Sequence, residues 1–520
     1  MPKSRIFLIA ALVFLIASAG LVFFVKHKIG QKIEQGFADL EGASYESYEV
    51  HLLAGKISIK QIKLDTPLGA LSASAEGQKV SGTVSEAYID GLHWLDLVRE
   101  NRLLASEIAL RQPHLQFSEV PADSLSAEEV KETAEARAFF AEIKNLKIEE
   151  GDIAFYGKEA ENPKLRLESF SLEFDKFTFD DALKNDKIAL GGYNLNLGHL
   201  YLQAADGLHE MKLDSVFTQN RNVTLQNLTF KSPYETDAFM QKLTYRKAKF
   251  DLSVPEIILH DFPLERVFNN RFDIPLLSIN GADLGVFVDK NNPLAPDKRG
   301  LLPGAALRAI ESRINADSIA INDASVLFSL KEAGRSERGE IFFKNINARL
   351  ENVTNDSTLI AKDRDLIAKI NSKFMGTSNF DLTVRFFLDS PVYAYDFYGK
   401  LDTFDMRRTN RMLADVSQIK ISRGDIKELT FEVSADDDRS TGTLDFLYEN
   451  LEVELIDESG KKKSGVLNWL VQKVLIKEQN TPDGDRKRGE IGIPRDKRKG
   501  FFDQLWLSVL DGLKGVILPG

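Results

Sequence analysis

The chain has 520 residues, which is too long for one ordinary hydrophobic core and predicts several domains or one elongated body. With 43% hydrophobic and 28% charged residues, its composition excludes a disordered chain. The net charge of −11 argues against non-specific binding of nucleic acid, and the absence of cysteine excludes disulfides and thiolate metal sites.

An apolar segment lies close to the N-terminus. Residues 6–25 form a run of 20 residues in which Ser18 is the only polar side chain. As a helix this run spans about 30 Å, the thickness of one hydrocarbon core. A cleaved signal peptide is the alternative, because Ala17 and Ala19 resemble a cleavage site, but the apolar run continues to Val25. We predict a transmembrane anchor with a short N-terminal tail over residues 1–27, and lysines on both sides leave its orientation open.

Strand patterns dominate residues 28–122. One pattern places two pairs of alternating apolar residues around a two-residue gap, and it occurs twice, 166 positions apart. The copies are Ile57, Ile59, Ile62, Leu64 and Val223, Leu225, Leu228, Phe230, with Pro67 and Pro233 after them. The shared gap and the shared proline indicate a diverged internal duplication.

A second pattern separates its apolar pairs by four residues and occurs four times. The copies are Ile108, Leu110, Leu115, Phe117; Leu146, Ile148, Ile153, Phe155; Leu277, Ile279, Leu284, Val286; and Ile319, Ile321, Val326, Phe328. An odd step in a continuous strand turns the later residues to the opposite face unless a bulge or turn intervenes. The gaps "EEGD", "NGAD" and "NDAS" predict turns, "RQPH" predicts a bend or bulge, and the two-residue gaps "KQ" and "QN" predict bulges.

Helices are few in the rest of the chain. A capping-box spacing from Ser126 to Glu129 predicts a helical insertion over residues 123–142, and shorter helices are predicted within 303–314 and 404–416. Residues 143–378 form a repeated β region, and 379–460 read as a β-meander. Its turn "ADDDRSTG" favours a solvated hairpin tip over a calcium loop, because the EF-hand register is absent.

The tail, residues 461–520, changes character. It carries 13 Lys and Arg against 7 Asp and Glu, so its net charge is +6. Basic clusters precede amphipathic helices there, which suits an anionic membrane surface, although a helix that caps the sheet fits equally well. The predicted membrane-contact residues are Phe501, Phe502, Leu505, Trp506, Val509 and Leu513.

Catalytic patterns are missing from the sequence. It has no Gly-rich phosphate loop, no nucleophile elbow and no His-x-x-x-His pair, and its seven histidines are scattered. We therefore expect no catalytic residues, no metal site, no cofactor and no enzymatic activity. A glycan hydrolase with paired carboxylates is a remote alternative.

Several stretches resemble the AsmA-like family. They are the apolar anchor, "GKISIKQIKLDTPLG", "YIDGLHWLDLVRENRLLASEIALRQPHLQF", and the later "SRGDIKEL" and "GTLDFLYENLEVEL". The resemblance implies a bacterial inner-membrane anchor with the bulk of the chain in the periplasm. It also implies a long β-sheet curled into a U-shaped apolar groove, similar to that of bridge-like lipid-transfer proteins, and a link to phospholipid movement and envelope integrity.

The predicted fold is mainly β, an elongated, curled antiparallel sheet with a few short helices and amphipathic C-terminal helices. The first, second and fourth copies of the four-residue-gap pattern are the predicted groove lining. Expected partners are phospholipid acyl chains, the membrane bilayer, and outer-membrane or other envelope proteins, without nucleic acid. The alternative function is an envelope-assembly scaffold that assists outer-membrane protein biogenesis without carrying lipid.

Overall fold

The computed structural model describes residues 42–68, 78–119, 139–157, 161–183, 187–297, 299–362, 365–417, 419–456, 477–484 and 486–518. The predicted anchor lies outside these ranges, as does most of the predicted insertion at 123–142. Within them, no helix is both long and apolar enough to cross a bilayer.

The described residues are mainly β. The strands are β1 (Ala43–Ser44), β2 (Ser47–His51), β3 (Lys56–Pro67), β4 (Gln78–Asp90), β5 (Arg102–Glu119), β6 (Phe140–Tyr156), β7 (Pro163–Asp180), β8 (Ile188–Ala189), β9 (Gly192–Leu197), β10 (Leu200–Gln203), β11 (Glu210–Leu213), β12 (Ser215–Gln219), β13 (Asn222–Lys231), β14 (Lys249–His260), β15 (Arg271–Asn280), β16 (Asp283–Asp289), β17 (Arg313–Lys331), β18 (Gly339–Thr354), β19 (Leu366–Phe374), β20 (Ser378–Phe386), β21 (Tyr395–Leu401), β22 (Phe404–Asp405), β23 (Ile419–Ala435), β24 (Arg439–Leu455) and β25 (Arg488–Pro494). The α-helices are α1 (Trp94–Glu100), α2 (Thr236–Gln241), α3 (Leu264–Val267), α4 (Pro303–Arg308), α5 (Ser357–Ile360), α6 (Asn410–Ser417) and α7 (Phe501–Ile517).

The chain forms two compact units. Unit 1 comprises Met1–Thr229 and Ile258–Asp273, and unit 2 comprises Phe230–Ile257 and Ile274–Gly520. In unit 1, β3 to β7 pair in chain order, and β9 and β10 pair with β7. In unit 2 the order is β14, β16, β17, β18, β19, β20, β21, β23, β24, β25.

The sheet is mixed, so the prediction of an antiparallel sheet is wrong for some of its strand pairs. The pairs β5–β6 and β16–β17 are parallel. A parallel pair requires a crossover connection that returns the chain to the end where the first strand began. In unit 2 that connection is residues 290–312, which include α4. Alternating apolar residues do not distinguish strand direction, so the sequence did not reveal this.

The repeated pattern pairs with itself. In the β5–β6 pair, Ile108 lies opposite Leu146 and Phe117 lies opposite Phe155, with no change of register between them. In the β16–β17 pair, Leu284 lies opposite Val326. Like residues therefore stack on like residues across each parallel pair, and each pair presents one apolar face.

The odd gaps contain single residues in the left-handed region. Strands β5, β6 and β17 run through their gaps without a turn, so the turns predicted for "EEGD" and "NDAS" are wrong, whereas β15 ends at "NGAD". The positive-φ residues recur at equivalent places in the two halves of the proposed duplication: Gln61 and Asn227, Gly91 and Asp261, Asn101 and Asn270, Gln112 and Gly281, Glu150 and Asp323, Lys176 and Asn352. This correspondence supports the duplication.

Three further predictions are corrected by the element boundaries. Residues 140–142 of the predicted helical insertion belong to strand β6. The tail was predicted to be helical, but it contributes β25, which pairs with β24. In residues 303–314 the helix ends at Arg308, because β17 begins at Arg313.

A substitution at Gln61 tests the importance of the left-handed position. Gln61 is exposed, with φ of 52°. We expect Gln61→Val to lower the free energy of unfolding by about 1–2 kcal/mol, because a β-branched side chain is strained there. Gln61→Gly is the control and should not destabilise the protein. Urea unfolding midpoints measure both, and equal midpoints for Val and Gly would contradict the argument.

Candidate functional site

A continuous apolar face crosses the sheet of unit 2. Its rows follow the strand registers from β14 to β24. Successive opposed pairs are Leu252–Leu284, Leu284–Val326, Val326–Phe343, Phe343–Phe374, Ile370–Leu382, Val384–Phe397, Phe397–Val433 and Phe431–Leu444. At β20 the row through Phe374 meets Ser378, and the series continues through Ile370 and Leu382, so one surface of the sheet is mainly apolar from β14 to β24.

One end of this face is covered. Across β20 to β25 its side chains are buried in a single cluster with residues of other elements. Leu302, next to α4, and Val509 and Val516 of α7 belong to that cluster. The ring of Phe501 packs against Phe386, with their centroids 5.4 Å apart. This end of the face is therefore a packed core.

The other end of the face is open. On β14, β16 and β17 most apolar side chains of this face are only half-buried, although Val254 is buried, and none belongs to the core cluster. We call these residues the open patch: Leu252, Leu284, Val286, Ile319, Ile321, Val326 and Phe328. The fourth copy of the repeated pattern lies entirely within it. Accessible apolar surface of this kind is what binds apolar ligands.

The first and second copies have a different environment. Ile108, Leu115, Phe117, Leu146, Ile148, Ile153 and Phe155 are buried in unit 1, and Leu110 is half-buried. Ile148, for example, is only 3% exposed, whereas the equivalent Ile321 is half-buried. The lining of a groove by these residues stays a prediction, and side chains buried to this extent leave little surface for a ligand.

The C-terminal helix α7 packs on β24 and β25 and caps the sheet. Val509 is buried, and Phe501, Leu505 and Leu513 pack against the core cluster. Gly512 allows the close approach, because a Cβ there would lie 2.7 Å from the Cβ of Leu444. Of the predicted membrane-contact residues, only Phe502 and Trp506 are exposed.

The acidic turn after β23 is a centre of ion pairs rather than only a solvated tip. Asp437 binds Arg299, Arg495 and Lys497. The Arg495 side chain is 1% exposed and also donates to the carbonyl of Gly300. Asp437 therefore joins the crossover connection to the segment that precedes α7. The triple Asp in the sequence marked this place, but its partners lie far away along the chain.

A polar cavity of about 750 Å³ lies in unit 1. Its lining is Glu46, Ser47, Lys60, Gln61, Ser85, Glu86, Arg111, Gln112, Glu149, Glu150 and Ser171. Arg111 Nη1 lies 2.6 Å from Glu86 and Nε lies 3.0 Å from Glu149. Arg111, Glu86 and Glu149 lie on strand positions between the apolar residues of unit 1. The cavity therefore lies on the polar side of that sheet.

Other functional chemistry is sparse in the part of the chain that the structure describes. No group of three or more His, Asp or Glu residues there could hold a metal ion. No protein-family model and no curated protein matches the chain.

The acidic turn gives a stability prediction. We expect Asp437→Asn to lower the free energy of unfolding by about 3 kcal/mol, because it leaves the buried Arg495 without its counter-charge. Asp438→Asn is the matched control, since Asp438 is exposed and its carboxylate pairs with the exposed Lys497. Its unfolding midpoint should barely change. Similar losses for both variants would contradict the distinction.

The polar cavity gives a pH prediction. The Ser58 hydroxyl, which donates to Glu86 at 2.5 Å, and the Arg111 guanidinium hold the pKa of Glu86 below its ordinary value despite partial burial. Stability from a depressed carboxyl pKa is present above about pH 4.3 and is lost as the pH falls. Glu86→Gln should therefore lower the unfolding midpoint at neutral pH, and the difference should shrink in acid. A difference independent of pH would refute this.

Proposed function

We propose that the chain is a membrane-anchored, non-enzymatic envelope protein that binds acyl chains on the open patch and contributes to phospholipid transport or outer-membrane homeostasis. The observation that carries the proposal is the gradient along one apolar face, covered at β20–β25 and half-exposed at β14–β17. The resemblance to the AsmA-like family supports a single-pass inner-membrane protein with most of the chain in the periplasm.

The chain path in unit 2 supports a curled sheet. Lys290 bonds to the end of β17 at Lys331, and Gly300 bonds to Lys497 beyond β25. Ten residues reach at most about 36 Å. In a flat sheet, the seven strand spacings and the stagger between these points would separate them by about 55 Å. The crossover connection can close this distance only if the sheet bends, which supports a trough with the apolar face inside.

The chemistry of the open patch suits mobile lipid. Its side chains are aliphatic or Phe, so they offer acyl chains no directional hydrogen bonds. Each methylene removed from water contributes about 0.8 kcal/mol, but a bilayer offers an acyl chain the same gain. Exchange between membrane and patch is therefore nearly neutral, which favours transfer over permanent capture.

The second candidate is an envelope-assembly scaffold that does not carry lipid. The packed cluster at β20–β25 favours it, because an apolar face that is satisfied by the protein itself needs no ligand. The two functions differ in one respect that can be measured, namely whether phospholipid occupies the open patch.

Photo-crosslinking in living cells tests this difference. A benzophenone amino acid is placed at Phe328 of the full chain, and cross-linked phospholipid is detected by mass spectrometry. Phe287 is the matched control, because it is also half-buried and lies on neighbouring β16, but on the opposite face, opposite Ser329 rather than Phe328. We expect phospholipid adducts at Phe328 and few at Phe287.

Charge substitution provides the complement. Phe328→Asp should lower the amount of phospholipid that co-purifies with the protein. The protein should still fold, because the side chain is only half-buried. Ile148→Asp should instead reduce stability by several kcal/mol, since a charge would be buried. Absence of phospholipid at Phe328 in a folded protein would exclude acyl binding there and would leave the scaffold.

A further inference from the structure

The open patch has a basic border at one end. Phe250, which is exposed, continues the apolar row of the patch on β14, because it lies opposite Val286 on the same face. The segment that leads into β14 contains four cations and no acid between residues 238 and 250, so its charge is +4. We call these four residues the basic border: Lys242, Arg246, Lys247 and Lys249.

Contacts within unit 2 hold the basic border beside the strand ends of the patch. The Arg246 guanidinium donates to the backbone carbonyls of Lys290, at 3.0 Å, and Asn292, at 3.1 Å, directly beyond β16. Lys249 Nζ donates to the hydroxyl of Thr236, at 3.4 Å. The partners of both side chains are uncharged groups, so both cations keep their charge.

The acids of the neighbouring elements do not cancel this charge. The nearby acids that already pair with other cations are Asp251 with Lys231, Asp289 with Lys331, Glu332 with Lys290, and Glu340 with Arg338 and Arg411. In the turn after β17, Arg335 balances Glu337. Even with Glu235 and Asp237 of α2 counted against it, the basic border retains a net charge of +2.

The length of the open patch fits a lipid that lies along the strands. From Ile319 to Phe328, strand β17 rises by about 30 Å. One leaflet of a bilayer core is about 15 Å thick, so an acyl chain is shorter than the patch. Acids lie at the far end of β16, at Asp283, and in the gap of β17, at Asp323. A headgroup phosphate is therefore favoured at the basic border, with the acyl chains directed away from it.

We propose that the open patch selects anionic phospholipids, with the headgroup at the basic border and the acyl chains on the patch. This inference rests on the proposed binding of acyl chains and adds the class of lipid. A phosphatidylglycerol headgroup combines one negative charge with neutral hydroxyls, which suits a surplus of cations. The ammonium group of phosphatidylethanolamine would instead lie among like charges, so the zwitterionic headgroup gains less.

Headgroup analysis of the cross-linked lipid tests the proposal. A benzophenone at Phe328 of the full chain reacts with acyl C–H bonds, so its reactivity does not depend on the headgroup. In bacterial cells that contain both phosphatidylglycerol and phosphatidylethanolamine, mass spectrometry gives the ratio of these lipids among the adducts and in the whole envelope. We expect phosphatidylglycerol to be enriched about fivefold among the adducts.

Paired charge substitutions locate the selectivity. Lys247→Gln with Lys249→Gln should lower the enrichment to about twofold or less, because half of the charge of the basic border is removed. Lys369→Gln with Lys420→Gln is the matched control, since it removes two cations from exposed positions on β19 and β23. The control should keep the enrichment of the wild type. Unfolding midpoints should show that both double variants fold normally.

The outcomes separate this proposal from the one on which it rests. Adducts in the same lipid ratio as the envelope would overturn headgroup selection and leave acyl binding in place. Enrichment that persists without Lys247 and Lys249, or that falls equally in the control, would overturn the role of the basic border. Absence of any phospholipid adduct would overturn both acyl binding and headgroup selection.

Discussion

The fold depends on a backbone constraint that repeats along the chain, a single residue in the left-handed region at each odd gap. A non-glycine residue there costs about 1–2 kcal/mol, yet Gln112 in β5, Glu150 in β6 and Asp323 in β17 all adopt it. Without it, the residues after the gap would turn to the opposite face, and half of each apolar row would point into water. In the β5–β6 pair the register is the same on both sides of the gap, because both strands contain such a residue, Gln112 and Glu150.

The sequence predicted the apolar rows and the duplication because both depend on local spacing. The sequence led to a wrong prediction where a residue typical of turns is required for packing instead. In "EEGD" the glycine suggested a turn, but Glu150 takes the left-handed conformation. Gly151 is needed for packing instead, since a Cβ there would lie 2.5 Å from the ring of Phe170. Strand direction was missed because parallel and antiparallel strands have the same alternation, and β25 was missed because it lies in a tail predicted to be helical.

The candidate site was predictable only as a pattern. Ile148 and Ile321 hold the same position in two copies of the repeat, yet one is buried and the other is half-exposed. What covers a strand is decided by segments distant in sequence, such as α7 and the crossover connection in unit 2. The same holds for Asp437, whose partner Arg495 lies 58 positions away. Composition and periodicity do not predict contacts between residues that are distant in sequence.

The position of a residue along the apolar face of unit 2 determines whether its substitution should affect folding or ligand binding. At the covered end, each side chain is already in contact with protein, so its substitution acts on folding. On the open patch, accessible apolar surface remains in contact with water, so a ligand that covered it would gain free energy in proportion to that surface. The boundary lies between β17 and β19, where the Phe343 and Phe374 ring centroids are 5.4 Å apart. A ligand on the patch would therefore rest against an aromatic wall that belongs to the fold.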